Sequence, residues 1–294
     1  MHNIFITGSS GFIGTNLKLL LKSNYIFYEH KKGEPLNIHS ETVIHLAGKA
    51  HDLNNTYNSR EYYLVNTDFT IEVFDSFLNS SAKVFIFLSS VKAAADSLDC
   101  ILTEEYLPCP ISDYGKSKLN AENYILSKTI PNSKRVYILR PCMIHGPGNK
   151  GNLNYLYNFV KLGLPWPLGS FENKRSFCSI ENISFIINEL IENNTIVSGI
   201  YNISDDESIS TNELIRLISL SKGKNPIIWK VNKSILISVA KIGSLLKLPL
   251  NTIRLRKLTE SYEVSNIKIK NAIKKTLPLT SINGILKTLE SFKD

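Results

Sequence analysis

The sequence predicts an α/β protein, a doubly wound parallel sheet with a smaller carboxyl-terminal lobe. Short, continuously apolar runs are bounded by turn residues, segments with apolar residues at helical spacing lie between them, and a glycine-rich turn joins the first run to the first helical segment. A chain of 294 residues, 43% hydrophobic and 20% charged, can bury a large core.

Asn3–Thr7 is a buried strand ending in glycine, and Phe12–Leu21 repeats apolar residues with a helical period. Tyr25–Glu29 is the second strand and Thr42–Leu46 the third, after a connection too short for a full crossover helix. A helix is expected over Glu61–Asn79, a strand over Lys83–Leu88, a helix over Tyr114–Ser127, and a strand over Arg135–Leu139 stopped by Pro141. Glu181–Glu192 reads as a helix and Gly199–Ile203 as a late strand. Residues 1–150 are expected to form the domain built on this sheet, rejoined by the strand near 199–203, and residues 151–294 mainly the second lobe. In such sheets the ligand crevice lies at the carboxyl ends of the strands.

Cys100, Cys109, Cys142 and Cys178 form no C-x-x-C pair, which argues against a zinc site or redox dithiol, and no metal is expected. No run approaches the roughly 20 apolar residues of a membrane span, and the N-terminus enters a strand without a signal-peptide layout, so the expected location is the cytoplasm. The net charge of +8 is unevenly spread. Between Ser221 and Lys275, 13 Lys/Arg meet two acids, Glu260 and Glu263, so this segment carries +11 and the remainder −3. That field suits an anionic partner or a solvated lysine face. No zinc-finger spacing or aromatic RNA-binding motif supports nucleic acid. Within Lys233–Lys257, Ile235, Leu236, Val239, Ile242, Leu245 and Leu246 alternate with lysines, a pattern open to peripheral membrane contact or to a core or dimer-interface helix.

Gly8-Ser9-Ser10-Gly11-Phe12-Ile13-Gly14 is a G-x-x-G-x-x-G turn between strand and helix. Gly8 permits the tight turn, Gly11 a close approach of backbone to a pyrophosphate at the helix N-terminus, and Gly14 close packing of helix on sheet. Tyr114-Gly115-Lys116-Ser117-Lys118 is Y-x-x-x-K, which puts phenol and ammonium on one helix face. At about 4 Å and an effective dielectric near 20 their attraction is about 4 kcal/mol, enough to bring a tyrosine from about 10 towards neutrality.

Together these motifs resemble the short-chain dehydrogenase/reductase superfamily, specifically its extended branch of NAD(P)-dependent nucleotide-sugar epimerases, dehydratases and reductases, whose dinucleotide domain is the Rossmann fold. The resemblance covers roughly the whole chain, tightly up to Pro147 and loosely beyond Phe177. It implies cofactor contacts from Gly8, Ser10, Gly11, Phe12, Ile13 and Gly14, from Leu46, Ala47 and Gly48 in an H-x-A-G segment, and from Asn66 in V-N-x-x. Asn66 reads equally well as a buried asparagine bonding a neighbouring strand. Pro141 and Cys142, in Leu139-Arg140-Pro141-Cys142-Met143-Ile144-His145-Gly146-Pro147, correspond to the strand end facing the nicotinamide, with Met143 and His145 replacing the usual asparagine and tyrosine.

The same resemblance makes Tyr114 the proton carrier, Lys118 its partner and a holder of the nicotinamide ribose, and Ser90 the hydroxyl that steadies the reacting oxygen, with Ser89 capping or packing. Ser90-Val91-Lys92 lacks the carboxylates of sugar 4,6-dehydratases and disfavours dehydration. Substrate contacts are implied for Ser90, Lys92, Met143, Asn152, Leu153 and Arg175, the last on the sugar-nucleotide diphosphate, although Lys92 also reads as a surface lysine and Arg175 as a solvent-facing arginine. The family's acidic ribose-binding position aligns at His30 or Lys31, which leans to NADP(H), while Glu29 keeps NAD(H) open.

The leading expectation is an NAD(P)H-dependent 4-ketoreductase of a UDP-4-keto-6-deoxy-N-acetylhexosamine in surface-polysaccharide synthesis, with a UDP-hexose 4-epimerase as the alternative. Substrates are UDP- or dTDP-sugars and the assembly a homodimer. A non-catalytic dinucleotide sensor on the same fold is the competing class; such proteins usually lose the tyrosine–lysine pair kept here.

Overall fold

The computed structural model describes residues 2–49, 58–149, 151–246, 248 and 250–292. Six strands, β1 (His2–Thr7), β2 (Tyr25–His30), β3 (Thr42–His45), β4 (Val84–Leu88), β5 (Arg135–Pro141) and β8 (Gly199–Ile203), form one sheet in the order β2-β1-β3-β4-β5-β8. Every pair is parallel. The direction of winding reverses between β1 and β3, which opens the crevice at their carboxyl ends.

Both faces are covered, so each strand is apolar on alternate sides. Ile4, Ile6, Ile44, Ile86 and Leu139 pack under α1 (Phe12–Leu21), α6 (Ile180–Glu192) and α10 (Ile267–Ile273). Phe5, Val43, Phe85, Phe87 and Ile138 pack under α3 (Phe69–Leu78) and α4 (Asp113–Ser127). A separate cluster joins α5 (Asn152–Lys161), α7 (Thr211–Ser221), α8 (Lys233–Leu245), α9 (Thr252–Thr259) and α11 (Ser281–Glu290). There Trp166 is core, its indole N–H donating to Asn212 at 2.9 Å. The short parallel pair β6 (Met143–His145) and β7 (Phe177–Ser179) lies beside it.

Two expectations are corrected. The helix over Glu61–Asn79 is not uniform: α2 (Ser59–Tyr62) passes through a π-helical segment, Tyr63–Asp68, into α3. That wider winding turns both Asn66 and Thr67 inward, where both are buried. Pro141 does not stop β5, which pairs with β8 through Pro141↔Ile203. Alternate residues of a strand bond to alternate neighbours, and β4 ends at Leu88, so nothing on that side requires the N–H that Pro141 lacks.

Candidate active site

The crevice is built on the turn after β1. Gly8 has φ +70, and a Cβ there would lie 2.6 Å from the Ala47 nitrogen, so the chain leaving β3 passes directly against the turn. A Cβ on Gly14 would lie 2.5 Å from the Gly8 carbonyl oxygen. Gly11 is the N-cap of α1 and makes no side-chain cap, which leaves the first turn of the helix facing the crevice mouth. Two backbones meeting where only glycine fits, at a helix N-terminus, form a cradle suited to a dinucleotide pyrophosphate.

The end of β2 turns Glu29 and His30 to opposite sides. Glu29, not His30, reaches the glycine turn: its carboxylate accepts the Ser9 hydroxyl at 2.6 Å and pairs with Lys18 of α1 at 2.6 Å. The Lys18 and Ser9 hydrogen bonds hold Glu29 below the usual carboxylate range, so it is charged at neutral pH. His30 points to the other face, against Phe5 and Phe69. Lys31 is exposed, and its backbone N–H donates to Glu34. One residue of register separates the two faces of a strand.

Behind the cradle runs a buried chain of hydrogen bonds. Thr70 donates to the Asn66 carbonyl at 2.8 Å and therefore accepts from His45 Nε2 at 2.9 Å. His45 Nδ1 then accepts from Thr7 at 2.7 Å, and Thr7 Oγ1 accepts the Ala47 N–H at 3.2 Å. Burial lowers the His45 pKa to about 3, so the ring is neutral. Among the described residues Asn66 bonds no strand: its Oδ1 accepts the Lys49 N–H, in the segment after β3, at 2.7 Å, and its Nδ2 donates to Ser117 on α4 at 3.0 Å. It thereby clamps the segment after β3 to the helix of the Y-x-x-x-K motif.

The Ser90 hydroxyl, just beyond β4, accepts the Lys92 N–H at 3.2 Å and acts to lower the proton affinity of the Tyr114 phenol on α4, against which the Tyr62 ring stands edge-on with centroids 6.0 Å apart. Lys118 is buried; its ammonium donates to the Leu88 carbonyl at 3.0 Å and lies 4.8 Å from the centre of the Phe87 ring. A Cβ on Gly48 would lie 3.0 Å from Lys118 Nζ and 3.1 Å from Asn66 Oδ1, so the small residue after β3 makes room for the ammonium. The expected depression of the phenol is corrected. Burial pushes Tyr114 up from its ordinary value, Ser90 opposes this and Tyr62 adds to it. Burial also lowers Lys118 to about 8 against the pull of Glu122. At both groups desolvation is the largest influence.

The substrate side is assembled less directly. Lys92 is not a solvated surface lysine: it donates to the Asp96 carbonyl at 2.7 Å, lies 4.2 Å from the Tyr262 ring centre, and burial lowers it to about 8. Arg175 is half-buried; its guanidinium donates to the Lys257 carbonyl at the end of α9, and burial lowers its pKa as well. Arg175 adds to the lowering of Lys92, and the carboxylates of Asp96 and Glu260 oppose it. Leu153 lies in the core of the second lobe and offers only its backbone, in the first turn of α5. Met143 packs against the same core. The side chain of Asn152 lies outside the described residues. Pro141 and Cys142 sit at the end of β5, with the Cys142 thiol buried and pushed up. His145 bonds Thr288 of α11 at 2.8 Å and faces Asp205 at 3.4 Å, a structural replacement for tyrosine.

Sequence reasoning missed three supports. Glu122, four residues beyond Lys118 on the same helix face, is fully buried, accepts Arg140 Nε at 3.0 Å and takes the Ser89 hydroxyl. The i+4 spacing was the available signal. Asp96 and Tyr262 carried none, because both act from loops. Tyr262 donates to the Ala95 carbonyl at 2.7 Å and so ties the second lobe to the turn after Ser90.

The chain is similar to known proteins. The model of the NAD dependent epimerase/dehydratase family matches residues 34–204. The chain belongs to that family. A Vibrio cholerae UDP-glucose 4-epimerase is 32% identical over 250 residues, 76% of either chain. An Escherichia coli O157:H7 N-acetyl-alpha-D-glucosaminyl-diphospho-ditrans,octacis-undecaprenol 4-epimerase is 27% identical over 245 residues, 76% of this chain and 73% of its own. The solved UDP-glucuronic acid 4-epimerase of Bacillus cereus, in complex with NAD, shares the fold with a TM-score of 0.76 at 18% identity, over 99% of this chain and 96% of that one. Solved structures of this fold hold NAD in some cases and NADPH in others. The family is one of NAD-dependent sugar-nucleotide enzymes, and this chain carries its extended Rossmann fold.

Proposed function

We propose that this protein is a 4-epimerase of a sugar carried on a diphosphate, using NAD(H), with Ser90, Tyr114 and Lys118 as its catalytic set. The observation that carries the reading is the Lys118 ammonium of the Y-x-x-x-K helix standing against Gly48, on the segment that packs on the glycine turn. When bound, a nicotinamide dinucleotide supplies the hydride acceptor and donor. Gly8, Gly11 and Gly14 would hold its pyrophosphate, Glu29 its adenosine ribose, and Lys118 its nicotinamide ribose. Tyr114 takes or returns the proton of the sugar 4-hydroxyl, Ser90 holds that oxygen in place, and Arg175 with Lys92 meets the diphosphate.

The charged Glu29 at the glycine turn supports NAD(H) over NADP(H), because a carboxylate accepts ribose hydroxyls and repels a 2′-phosphate. The names of both relatives support epimerisation of a UDP-sugar or a polyprenyl-diphosphate sugar. Ketoreduction at C4 is the second reading, favoured by the raised proton affinity of Tyr114, which suits a phenol that donates.

Purified protein is incubated with UDP-N-acetylgalactosamine, UDP-galactose and a polyprenyl-diphosphate N-acetylhexosamine, without added cofactor. Interconversion of C4 epimers, lost by 10²-fold or more in Tyr114→Phe, is expected. Turnover only of a 4-keto sugar with added reduced cofactor replaces epimerisation by ketoreduction. Equal turnover by Tyr114→Phe removes the catalytic assignment.

A further inference from the structure

Helices α8 and α9 form a hairpin whose chain, residues 233–257, holds six Lys/Arg and no Asp or Glu. The corner is tight: the Leu248 N–H donates to the Gly243 carbonyl at 2.8 Å, and Thr252 N–H to the Ser244 hydroxyl at 3.0 Å. Helix α8 has two apolar stripes. Leu236, Ala240 and Gly243, at helical spacing, face the second lobe and are buried. Ile235, Val239, Ile242 and Leu246 repeat the same spacing one residue earlier or later around the helix, yet remain 58%, 46%, 56% and 61% exposed. Leu248 and Ile253 extend this apolar surface across the corner, and Trp229 stands exposed just before α8. Lys233, Lys241, Arg254, Arg256 and Lys257 are exposed along the same hairpin.

A monomer gains nothing by exposing a second stripe of large aliphatic residues at helical spacing. Aliphatic side chains ringed by cations and an amphipathic tryptophan match the boundary of an anionic bilayer, where apolar burial and Coulomb attraction add. A second copy of this chain would have to bring the same positive charge against itself, which disfavours a self-pairing through this hairpin. The hairpin is also joined to the crevice, because Arg175 donates to the Lys257 carbonyl at the end of α9.

We propose that the α8–α9 hairpin is a membrane-docking surface for anionic lipid, which lays the Arg175 end of the crevice at the bilayer. No helix among the described residues is long and apolar enough to cross a membrane, so the contact is peripheral. Docking does not depend on the catalytic reading, since lipid binding is measured without substrate.

The full chain is sedimented with vesicles of phosphatidylglycerol and phosphatidylcholine and with vesicles of phosphatidylcholine alone, at low and high salt. Binding to the anionic vesicles that weakens with salt is expected, as is a loss of at least about tenfold in the triple variant Ile235→Ser, Ile242→Ser, Leu246→Ser. These side chains are exposed, and circular dichroism with dinucleotide binding verifies that the variant is folded. Absence of vesicle binding, equal binding to neutral vesicles, or equal binding by the folded variant overturns the proposal. So does a concentration-dependent dimer that the triple variant abolishes while vesicles go unbound.

Discussion

The Asp96 carboxylate accepts the backbone N–H of Ser112 at 2.8 Å and the Ser112 hydroxyl at 2.7 Å, and Ser112 in turn caps α4 through the Gly115 N–H. The loop that follows Ser90 therefore holds the N-terminus of the helix that carries Tyr114. Gly115 completes the contact, since a Cβ there would lie 2.4 Å from the Lys92 carbonyl oxygen. Serine and tyrosine are thus set against each other by backbone, before any ligand arrives.

Asp96→Asn removes the charge and leaves at most part of this network. It is expected to lower kcat by about tenfold with little change in KM, because Asp96 positions Tyr114 and does not touch substrate. Steady-state kinetics checks the split, and faster hydrogen exchange at the amides of 112–116 checks the cause. A variant altered in KM alone would refute the positioning role.

Glu29 sets a cofactor prediction. Wild type is expected to bind NAD(H) more tightly than NADP(H), and Glu29→Gln to shift that ratio towards NADP(H) by about tenfold, since a carboxylate no longer opposes the 2′-phosphate. Fluorescence titration with both dinucleotides measures it. Tighter NADP(H) binding by the wild type would restore the ribose position to His30 or Lys31.

His45 makes stability depend on pH. Its pKa falls from an ordinary value near 6.5 to about 3 on burial, so the unfolded chain takes up a proton that the folded chain refuses. The contribution is complete above pH 6.5 and is lost as pH falls towards 3, at up to about 1.4 kcal/mol per pH unit. Urea unfolding across that range is expected to show a shallower pH dependence in His45→Gln than in wild type. Parallel profiles would mean that the ring titrates in the folded protein.

The buried pair of Arg140 and Glu122 predicts an asymmetric double-mutant cycle. Arg140→Met strips the buried Glu122 carboxylate of its guanidinium partner and is expected to cost about 3–5 kcal/mol, whereas Arg140→Met with Glu122→Leu recovers a large part of that. Among the described residues Arg140 Nη1 finds no acceptor, so the pair is already imperfectly satisfied. Additive losses in denaturant midpoint would contradict this coupling.

The sheet was legible because a strand buried on both faces has to be apolar throughout, as Val84–Leu88 is, and because the glycine turn after Thr7 requires that backbones meet there. The Tyr114–Lys118 pair was legible as spacing. What spacing could not reveal was the solvent: burial decides the proton affinity of Tyr114, and burial belongs to the tertiary structure. Glu29 and His30 stand a single step apart on a strand, a shift too fine for alignment but one that exchanges opposite faces. The second apolar stripe of α8 was visible in sequence, but its exposure was not, because core and surface stripes have the same period.

The π turn at Tyr63–Asp68 makes this part of the chain intolerant of changes in length. Each residue of a helix rotates the next by about 100°, so deleting one position there would swing Asn66 away from Lys49 and Ser117 while Phe74 and Phe77 kept their places under the sheet. Natural indels should therefore avoid this stretch and collect instead in the exposed connection between β2 and β3, where added residues disturb no clamp.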